Sequence, residues 1–214
     1  MNHAIILLAC KGSIFDTEID KNLLKINDKY MCQYIIETLL TVEEINNIVL
    51  VVNQANLGVF KEMVNTIKPS KPVSVIAGDE VYRQKSLALG FKSIQVNPDD
   101  VIVTLDGDRP FVTNKLISKS IEMAKAKGFC SASLPVNDAI IKFTSYEDRK
   151  SLTRLQTPQY FIAKHFNEHF ELEKPDLISC MGWKLKTENL FPGDPLNFKI
   201  TTKFDYNVAK KIKV

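Results

Sequence analysis

The 214-residue sequence has no apolar run long enough to cross a bilayer, no closely spaced cysteine pair and no long basic block. Its apolar opening stretch, residues 4–10, falls far short of the about 20 residues a membrane helix needs. No basic segment precedes it, so it reads as a first buried strand rather than an anchor or signal peptide. Cys10, Cys32, Cys130 and Cys180 are scattered without any C-x-x-C, which reads as reduced thiols in a cytoplasmic protein. With 28 basic against 25 acidic residues the formal charge is only +3, which argues against a nucleic-acid or membrane-surface partner. His165 and His169 have the i, i+4 spacing of two zinc ligands, but the segment is not H-E-x-x-H and offers no evident third ligand. Zinc is therefore not expected. With only His3 besides that pair and no G-x-S-x-G, a serine- or cysteine-hydrolase constellation is also excluded. There is no G-x-x-x-x-G-K-[ST] loop, no internal repeat and no low-complexity segment.

What is present suits one domain over residues 1–214: 45% of residues are hydrophobic, enough for a substantial core. Val/Ile/Leu-rich runs at 4–9, 48–52, 73–77, 101–105 and 131–136 do not alternate, as expected of strands covered on both faces. Helical stripes lie between them, at 30–40 with Met31, Tyr34, Ile35 and Thr38, and at 114–127 with Leu116, Ile117, Ile121 and Ala124, ending at Gly128. The alternation predicts an α/β sandwich with a mainly parallel sheet, whose ligands gather at the carboxyl ends of the strands. Residues 137–155 break the pattern and read as an extended arm with a short β-like piece at 140–143. A helical segment at 163–173, a last strand at 197–200 and a terminal helix from Lys203 are expected to complete the chain.

Several connections carry groups suited to chemistry. The loop from Cys10 to Lys21 can wrap phosphates with backbone N–H groups, helped by Gly12, Lys11 and Lys21, or it is an ordinary surface loop. Asp106 and Asp108 follow the strongest β run, before Arg109-Pro110. They suit Mg²⁺, which needs one or two carboxylates plus substrate phosphates, or else form a solvated Asp-Gly-Asp turn. Gly78, Arg83 and Ser86 open a helix where ribose or phosphate can bind, or where a helix start is merely solvated.

In their order along the chain these pieces resemble the cytidylyltransferases that join CTP to small polyol phosphates, the methylerythritol-4-phosphate and ribitol-5-phosphate enzymes. The resemblance covers nearly the whole sequence. It is carried by Ala9-Cys-Lys-Gly12 with Asp20-Lys21-Asn22, and by Gly78 with Arg83 and Ser86. Leu105-Asp106-Gly107-Asp108-Arg109-Pro110-Phe111 and Pro135-Val-Asn-Asp138-Ala139 follow. Arg149 with Thr157-Pro-Gln-Tyr-Phe161, and Asn197-Phe-Lys199-Ile-Thr201 with Asp205, complete the set. The departures are a nucleotide loop lacking its first glycine and its arginine, with Ser13 or Ile14 in the arginine's place, and Ala139 where the family has threonine. A late T-D-[DE] has no counterpart unless Asp176 serves.

The resemblance implies a Rossmann-like nucleotidyltransferase sandwich with a protruding dimerisation arm. It implies transfer of CMP from CTP to a polyol phosphate with release of pyrophosphate, and Mg²⁺ as cofactor. Lys21 and Lys199 would be catalytic; Ala9, Cys10, Lys11, Gly12, Gly78, Arg83, Ser86 and Gly107 would bind nucleotide; Arg109, Arg149, Thr157, Thr201 and Asp205 would bind the acceptor; and Asp106 would hold the metal. A homodimer is implied, with the arm's arginine reaching the other subunit's site. Ala139 and the missing late motif lean the acceptor towards an alditol phosphate such as ribitol or glycerol phosphate, with methylerythritol 4-phosphate the other choice. The altered loop also admits a non-catalytic relative, and the architecture admits a sugar-phosphate enzyme using another nucleotide.

Overall fold

A computed structural model describes residues 1–10, 20–181 and 185–212. In chain order the elements are β1 (Asn2–Leu8), β2 (Lys25–Ile26), β3 (Lys29–Tyr30), α1 (Met31–Thr41), β4 (Asn47–Val52), α2 (Leu57–Ile67), β5 (Val73–Ala77), α3 (Arg83–Lys92) and β6 (Val101–Asp106). There follow α4 (Asn114–Lys127), β7 (Phe129–Pro135), β8 (Ile140–Lys142), β9 (Ser145–Glu147), β10 (Thr153–Ile162), α5 (Ala163–His169), α6 (Leu177–Cys180), β11 (Leu190–Pro192) and α7 (Lys203–Ala209).

The main sheet runs β11-β7-β10-β6-β1-β4-β5. β1 pairs in parallel with β4 and β6, β4 with β5, and β7 with β11, while β10 is antiparallel to both its neighbours. The expected mainly parallel α/β sheet is observed. Its strands lack polar alternation because successive side chains point to opposite faces and both faces are covered. Ala4, Ile6 and Leu8 of β1 pack with Ile35, Ile36 and Leu39 of α1, Phe60 of α2 and Ile117 and Ile121 of α4. Ile5 faces the other layer, with Leu87 and Phe91 of α3 and Phe166 of α5. A third cluster, Ile26, Met31, Phe111, Ile200 and Ala209, seats α7 and the β2–β3 hairpin beside the carboxyl end of β6.

Local chemistry sets the element ends. Thr113 Oγ1 accepts from Leu116 N–H at 3.2 Å to start α4, and Gly128, at φ 83°, closes it by donating to Ala124 O at 2.7 Å. This helix spans the expected residues.

Three expectations are corrected. Residues 197–200 form no strand, because their backbone serves side chains instead of a ladder: Asn197 O accepts from Arg109 Nη1 at 2.9 Å and from Gln156 Nε2 at 3.0 Å. The segment therefore crosses the sheet's end. The helix expected over 163–173 stops at His169, with Phe170 N–H donating to Phe166 O. The arm is a β8–β9 hairpin, and its last expected residues, 153–155, belong to β10, paired with Ser133, Leu134 and Pro135 of β7.

Candidate active site

The chain ends of β1, β5 and β6 meet at one edge of the sheet, and two glycines allow the approach. A Cβ on Gly107 would fall 2.0 Å from Leu8 Cδ2, so a side chain there would force Leu8 or the end of β1 to shift. A Cβ on Gly78 would meet Val51 Cγ1 at 2.5 Å and Ala9 Cβ at 2.7 Å. Both were expected as nucleotide-binding residues, and the structure adds a packing reason for each.

Asp106 and Asp108 project from the turn after β6, into a cluster of cations. Arg83 donates to Asp106 Oδ1 through Nε at 3.1 Å and Nη2 at 2.9 Å. Arg109 Nε lies 3.4 Å and Lys199 Nζ 3.6 Å from Asp106 Oδ2. Lys21 Nζ donates to Asp108 Oδ2 at 2.6 Å, and Lys199 Nζ lies 3.7 Å from the same oxygen. Four cations against two carboxylates leave a net charge of +2 at the cluster. Burial pushes the Asp106 carboxyl up, but Arg83, Lys199 and Arg109 outweigh it and hold the group well below the usual carboxylate range.

Lys21 is held by its neighbours. Asp20 accepts from Asn22 N–H at 2.9 Å, and its other oxygen accepts from Asn56 Nδ2 at 2.7 Å. Asn22 Nδ2 donates to Leu8 O at 2.8 Å, tying the short turn at Lys21–Leu23 to the end of β1. Asn22 entered the sequence analysis only as part of Asp20-Lys21-Asn22, with no role of its own, and Asn56 did not enter it.

Two cavities flank the cluster. One, of about 50 Å³, is lined by Ala9, Cys10, Lys21, Arg83, Ser86, Asp106, Asp108 and Lys199. The second, of about 380 Å³, is lined by Arg109, Arg154, Gln156, Phe198, Lys199, Thr201 and Asp205. Lys199 lines both. A larger cavity of about 600 Å³ lies between the β2–β3 hairpin, α1 and α2, away from the charge cluster. Arg83 Nη1 and Asp108 Oδ1 are buried without a hydrogen-bond partner among the described residues, a donor and an acceptor left over on residues that line the smaller cavity. Burial pushes the Cys10 thiol up despite Arg83, Lys21 and Lys199, which disfavours its thiolate form.

Of the expected ligands, Lys21, Lys199, Ala9, Cys10, Arg83, Ser86 and Asp106 gather on the first cavity, and Arg109, Thr201 and Asp205 on the second. Several have other partners as well. Ser86 Oγ accepts from Asp79 N–H at 2.9 Å and donates to Asp79 O at 2.8 Å, closing the turn after β5. Thr157 lines neither cavity; it is buried and its Oγ1 accepts from Asp106 N–H at 3.1 Å, bracing the acid from behind. One Asp205 oxygen accepts from Thr201 N–H and Oγ1, both at 3.0 Å, and from Thr202 N–H at 2.8 Å, which caps α7. Arg149 is exposed on the arm, donating to Asn137 O at 2.7 Å, and lines neither cavity of its own chain. Lys11 and Gly12 lie outside the described residues.

Arg154 and Gln156 were not anticipated. They share a face of β10, and the alternation of a half-polar strand was the available signal. Gln156 holds the 194–197 segment across the sheet's end, donating to Asp194 O and Asn197 O and accepting from Asp194 N–H at 3.2 Å.

A mainly parallel α/β sheet with a cationic cluster and paired carboxylates at its carboxyl edge, between two cavities that share a lysine, defines a nucleotidyltransferase. A family model for 2-C-methyl-D-erythritol 4-phosphate cytidylyltransferase matches residues 2–213, and the chain belongs to this family. It is 30% identical over 223 residues to the 2-C-methyl-D-erythritol 4-phosphate cytidylyltransferase of Clostridium tetani, covering 98% of this chain and 89% of that one. The enzyme of the same name from Bacillus licheniformis is 30% identical over 176 residues, covering 77% and 75%. The solved structure of 4-diphosphocytidyl-2C-methyl-D-erythritol synthase from Anaerococcus prevotii shares the fold at TM-score 0.82 and 22% identity, covering 98% of this chain and 94% of that one. The family's members are cytidylyltransferases, so the chain is of an enzyme family that transfers a cytidylyl group to a polyol phosphate.

Proposed function

We propose that this chain transfers the cytidylyl group of CTP to 2-C-methyl-D-erythritol 4-phosphate. The observation that carries the reading is Lys199, whose side chain lines both cavities and lies between Asp106 and Asp108. An acceptor phosphate oxygen attacks the α-phosphorus of CTP, the bond to the bridging oxygen breaks, and pyrophosphate leaves with that electron pair. The attacking oxygen is already anionic, so positioning and charge neutralisation matter more than a general base. Lys21 and Lys199 balance the charge that builds on the α-phosphate, Arg83 offers its remaining Nη1 donor to the nucleotide, and Arg109 with Arg154 holds the acceptor phosphate. Thr201 and Asp205 border the polyol.

Mg²⁺ fits this site. Its donors are hard carboxylate oxygens, and Asp108 Oδ1 is buried without a partner among the described residues. Asp106 and Asp108 would hold the ion, which when bound neutralises charge on the triphosphate. The phosphate-wrapping role of Lys11 and Gly12 belongs to the same proposal. So does a homodimer through the 137–155 arm, in which Arg149 serves the other subunit's acceptor site; Ile141, Phe143 and Tyr146 leave the arm's apolar surface exposed.

The relatives reported above are named for methylerythritol phosphate, and the lean towards an alditol phosphate finds no support among them. The test is pyrophosphate release from CTP and Mg²⁺ with methylerythritol 4-phosphate, ribitol 5-phosphate and glycerol 3-phosphate in parallel. Turnover with the first alone is expected. Turnover with an alditol phosphate alone would overturn the acceptor, preference for UTP or GTP the nucleotide, and failure to bind CTP would return the reading to a non-catalytic relative.

A further inference from the structure

We propose that His165, Glu168 and His169 form a binding site for a divalent transition-metal ion of the zinc class, at the end of the sheet opposite the nucleotide cavity. One donor atom from each lies within 4.8 Å of the others. His165 Nδ1 stands 3.2 Å and His169 Nε2 3.5 Å from Glu168 Oε2. An ion bonded at about 2.0–2.2 Å to nitrogen and oxygen donors in a tetrahedron sets those donors about 3.3–3.5 Å apart. Two edges of the triangle, 3.2 and 3.5 Å, already lie within about 0.1 Å of that range. The imidazole rings are nearly parallel, at 22° with centroids 6.0 Å apart, and each turns one nitrogen to the same Glu168 oxygen.

The backbone that carries these residues is anchored. Ala163 N–H donates to Asp100 O at 2.8 Å and Lys164 N–H to Pro98 O at 3.0 Å. Phe166, between the histidines, is buried and stacks on Phe91 at 4.2 Å and on Phe170 at 4.5 Å. His165 Nε2 abuts Gly128, where a Cβ would come within 2.6 Å, so the ring turns Nδ1 towards Glu168. Two imidazoles and one carboxylate suit Zn²⁺, Co²⁺, Ni²⁺ or Cu²⁺ and not the all-oxygen preference of Mg²⁺. The sequence shows the i, i+4 histidines, and the structure supplies the third donor from within the same turn. Position separates this site from the reaction: β10 ends where Ile162 pairs with Val101, at the amino end of β6, while Asp106 lies at the carboxyl end.

The same geometry also suits a carboxylate pairing with two imidazoles and no ion, and metal titration separates the two. Tag-free full-length protein is titrated with Zn²⁺ alone by calorimetry and with Co²⁺ alone by visible absorption. One ion per chain and tetrahedral Co²⁺ bands are expected. The His165→Asn/His169→Asn variant should bind at least about tenfold more weakly, since losing even an outer partner of a ligand costs that much. Glu168→Ala, at an exposed position, repeats the test where the double variant misfolds. CTP-dependent pyrophosphate release should be unchanged in both. Equal Zn²⁺ affinity of wild type and Glu168→Ala, or loss of binding in Cys10→Ser instead, would overturn the site.

Discussion

Arg83 grips a single oxygen of Asp106 with two of its nitrogens, Nε at 3.1 Å and Nη2 at 2.9 Å, and so ties the start of α3 to the end of β6. The pair is mostly buried, the side chains being 20% and 12% exposed. Removing one member of such a pair strands the other in a poor solvent, which costs about 3–5 kcal/mol. Lys199 and Arg109 remain near Asp106, so Arg83→Gln is expected at the lower end, about 3 kcal/mol, in urea unfolding. Arg83→Lys keeps the charge without the fork and should fall between. A midpoint equal to wild type in Arg83→Gln would show that the pair does not brace the fold.

Both lysines are expected to act on turnover, and Lys21 on stability as well. Lys199, 39% exposed, lines both cavities and can be removed at little cost to folding, whereas Lys21, 15% exposed, lines the smaller cavity and pairs with the buried Asp108, so its loss also strands that carboxylate. Losing one preorganised charge at the transferring phosphate should lower kcat about a hundredfold in Lys21→Ala or Lys199→Ala. Circular dichroism should be unchanged. Wild-type-like turnover in both would remove the basis for transfer at this cluster.

The site was more legible in the sequence than parts of the frame that holds it. Asp106, Arg109 and Lys21 stand out because charged residues cluster where strands end, Lys199 only through the family resemblance, and the fold brings the four together. Thr157 and Ser86 were legible as residue types but not as partners, because a hydroxyl in sequence does not say whether backbone or ligand will take it. The fold's parallel strands were readable from buried runs such as Val101–Asp106, whereas the long β10 was not. Its first seven residues, Thr153 to Gln159, are mostly polar, with Arg154 and Gln156 facing the second cavity and Gln156 holding the crossing segment 194–197. The apolar Phe198 and Ile200 suggested a strand at 197–200 for the opposite reason: they pack into the small cluster around Phe111 without pairing. The helix at Leu57–Ile67 was not anticipated, although its amphipathic stripe, Phe60, Met63, Val64 and Ile67, was an available signal.

The arm gives a prediction about assembly. Phe143 is 94% exposed at the tip of the β8–β9 hairpin, with Ile141 and Tyr146 beside it. Apolar surface so arranged calls for a covering partner. Light scattering is expected to give a dimer for wild type and a monomer for Ile141→Asp/Phe143→Asp. Because the proposal has Arg149 acting on the other subunit's site, the monomer should also bind the acceptor more weakly while its affinity for CTP holds. A dimer that survives the double substitution would exclude the arm as its seam.

Gly107 provides a steric prediction that does not depend on the substrate. A Cβ there would meet Leu8 Cδ2 at 2.0 Å and Leu7 O at 3.1 Å, so Gly107→Ala must displace the end of β1 or the Leu8 side chain. Overpacking of this kind costs about 1–3 kcal/mol. Since Lys21 is tied to Leu8 O through Asn22, the same shift should reach the catalytic cluster and lower turnover beyond the loss of stability. Replacing Leu8 by Val alongside Gly107→Ala should restore part of both. Full activity and stability in Gly107→Ala would mean that the turn after β6 can close without glycine.

Asp100 contributes to the acid limb of stability. It accepts from the N-terminal ammonium, from Asn97 N–H at 2.8 Å and from His3 Nε2 at 3.3 Å, at the base of β6. Burial pushes its carboxyl up, but these partners outweigh burial and bring it from 3.8 down to about 2. A carboxyl depressed on folding contributes stability that is complete above its unfolded value and is lost as pH falls through the folded one. The contribution, about 2 kcal/mol, should therefore be present above about pH 4 and disappear towards pH 2. Asp100→Asn should be less stable than wild type at pH 7 and should lose less on acidification, so that the two unfolding free energies converge near pH 2. Parallel curves down to that pH would mean that the carboxylate's partners do not favour its charged form, and that the acid limb belongs to other groups.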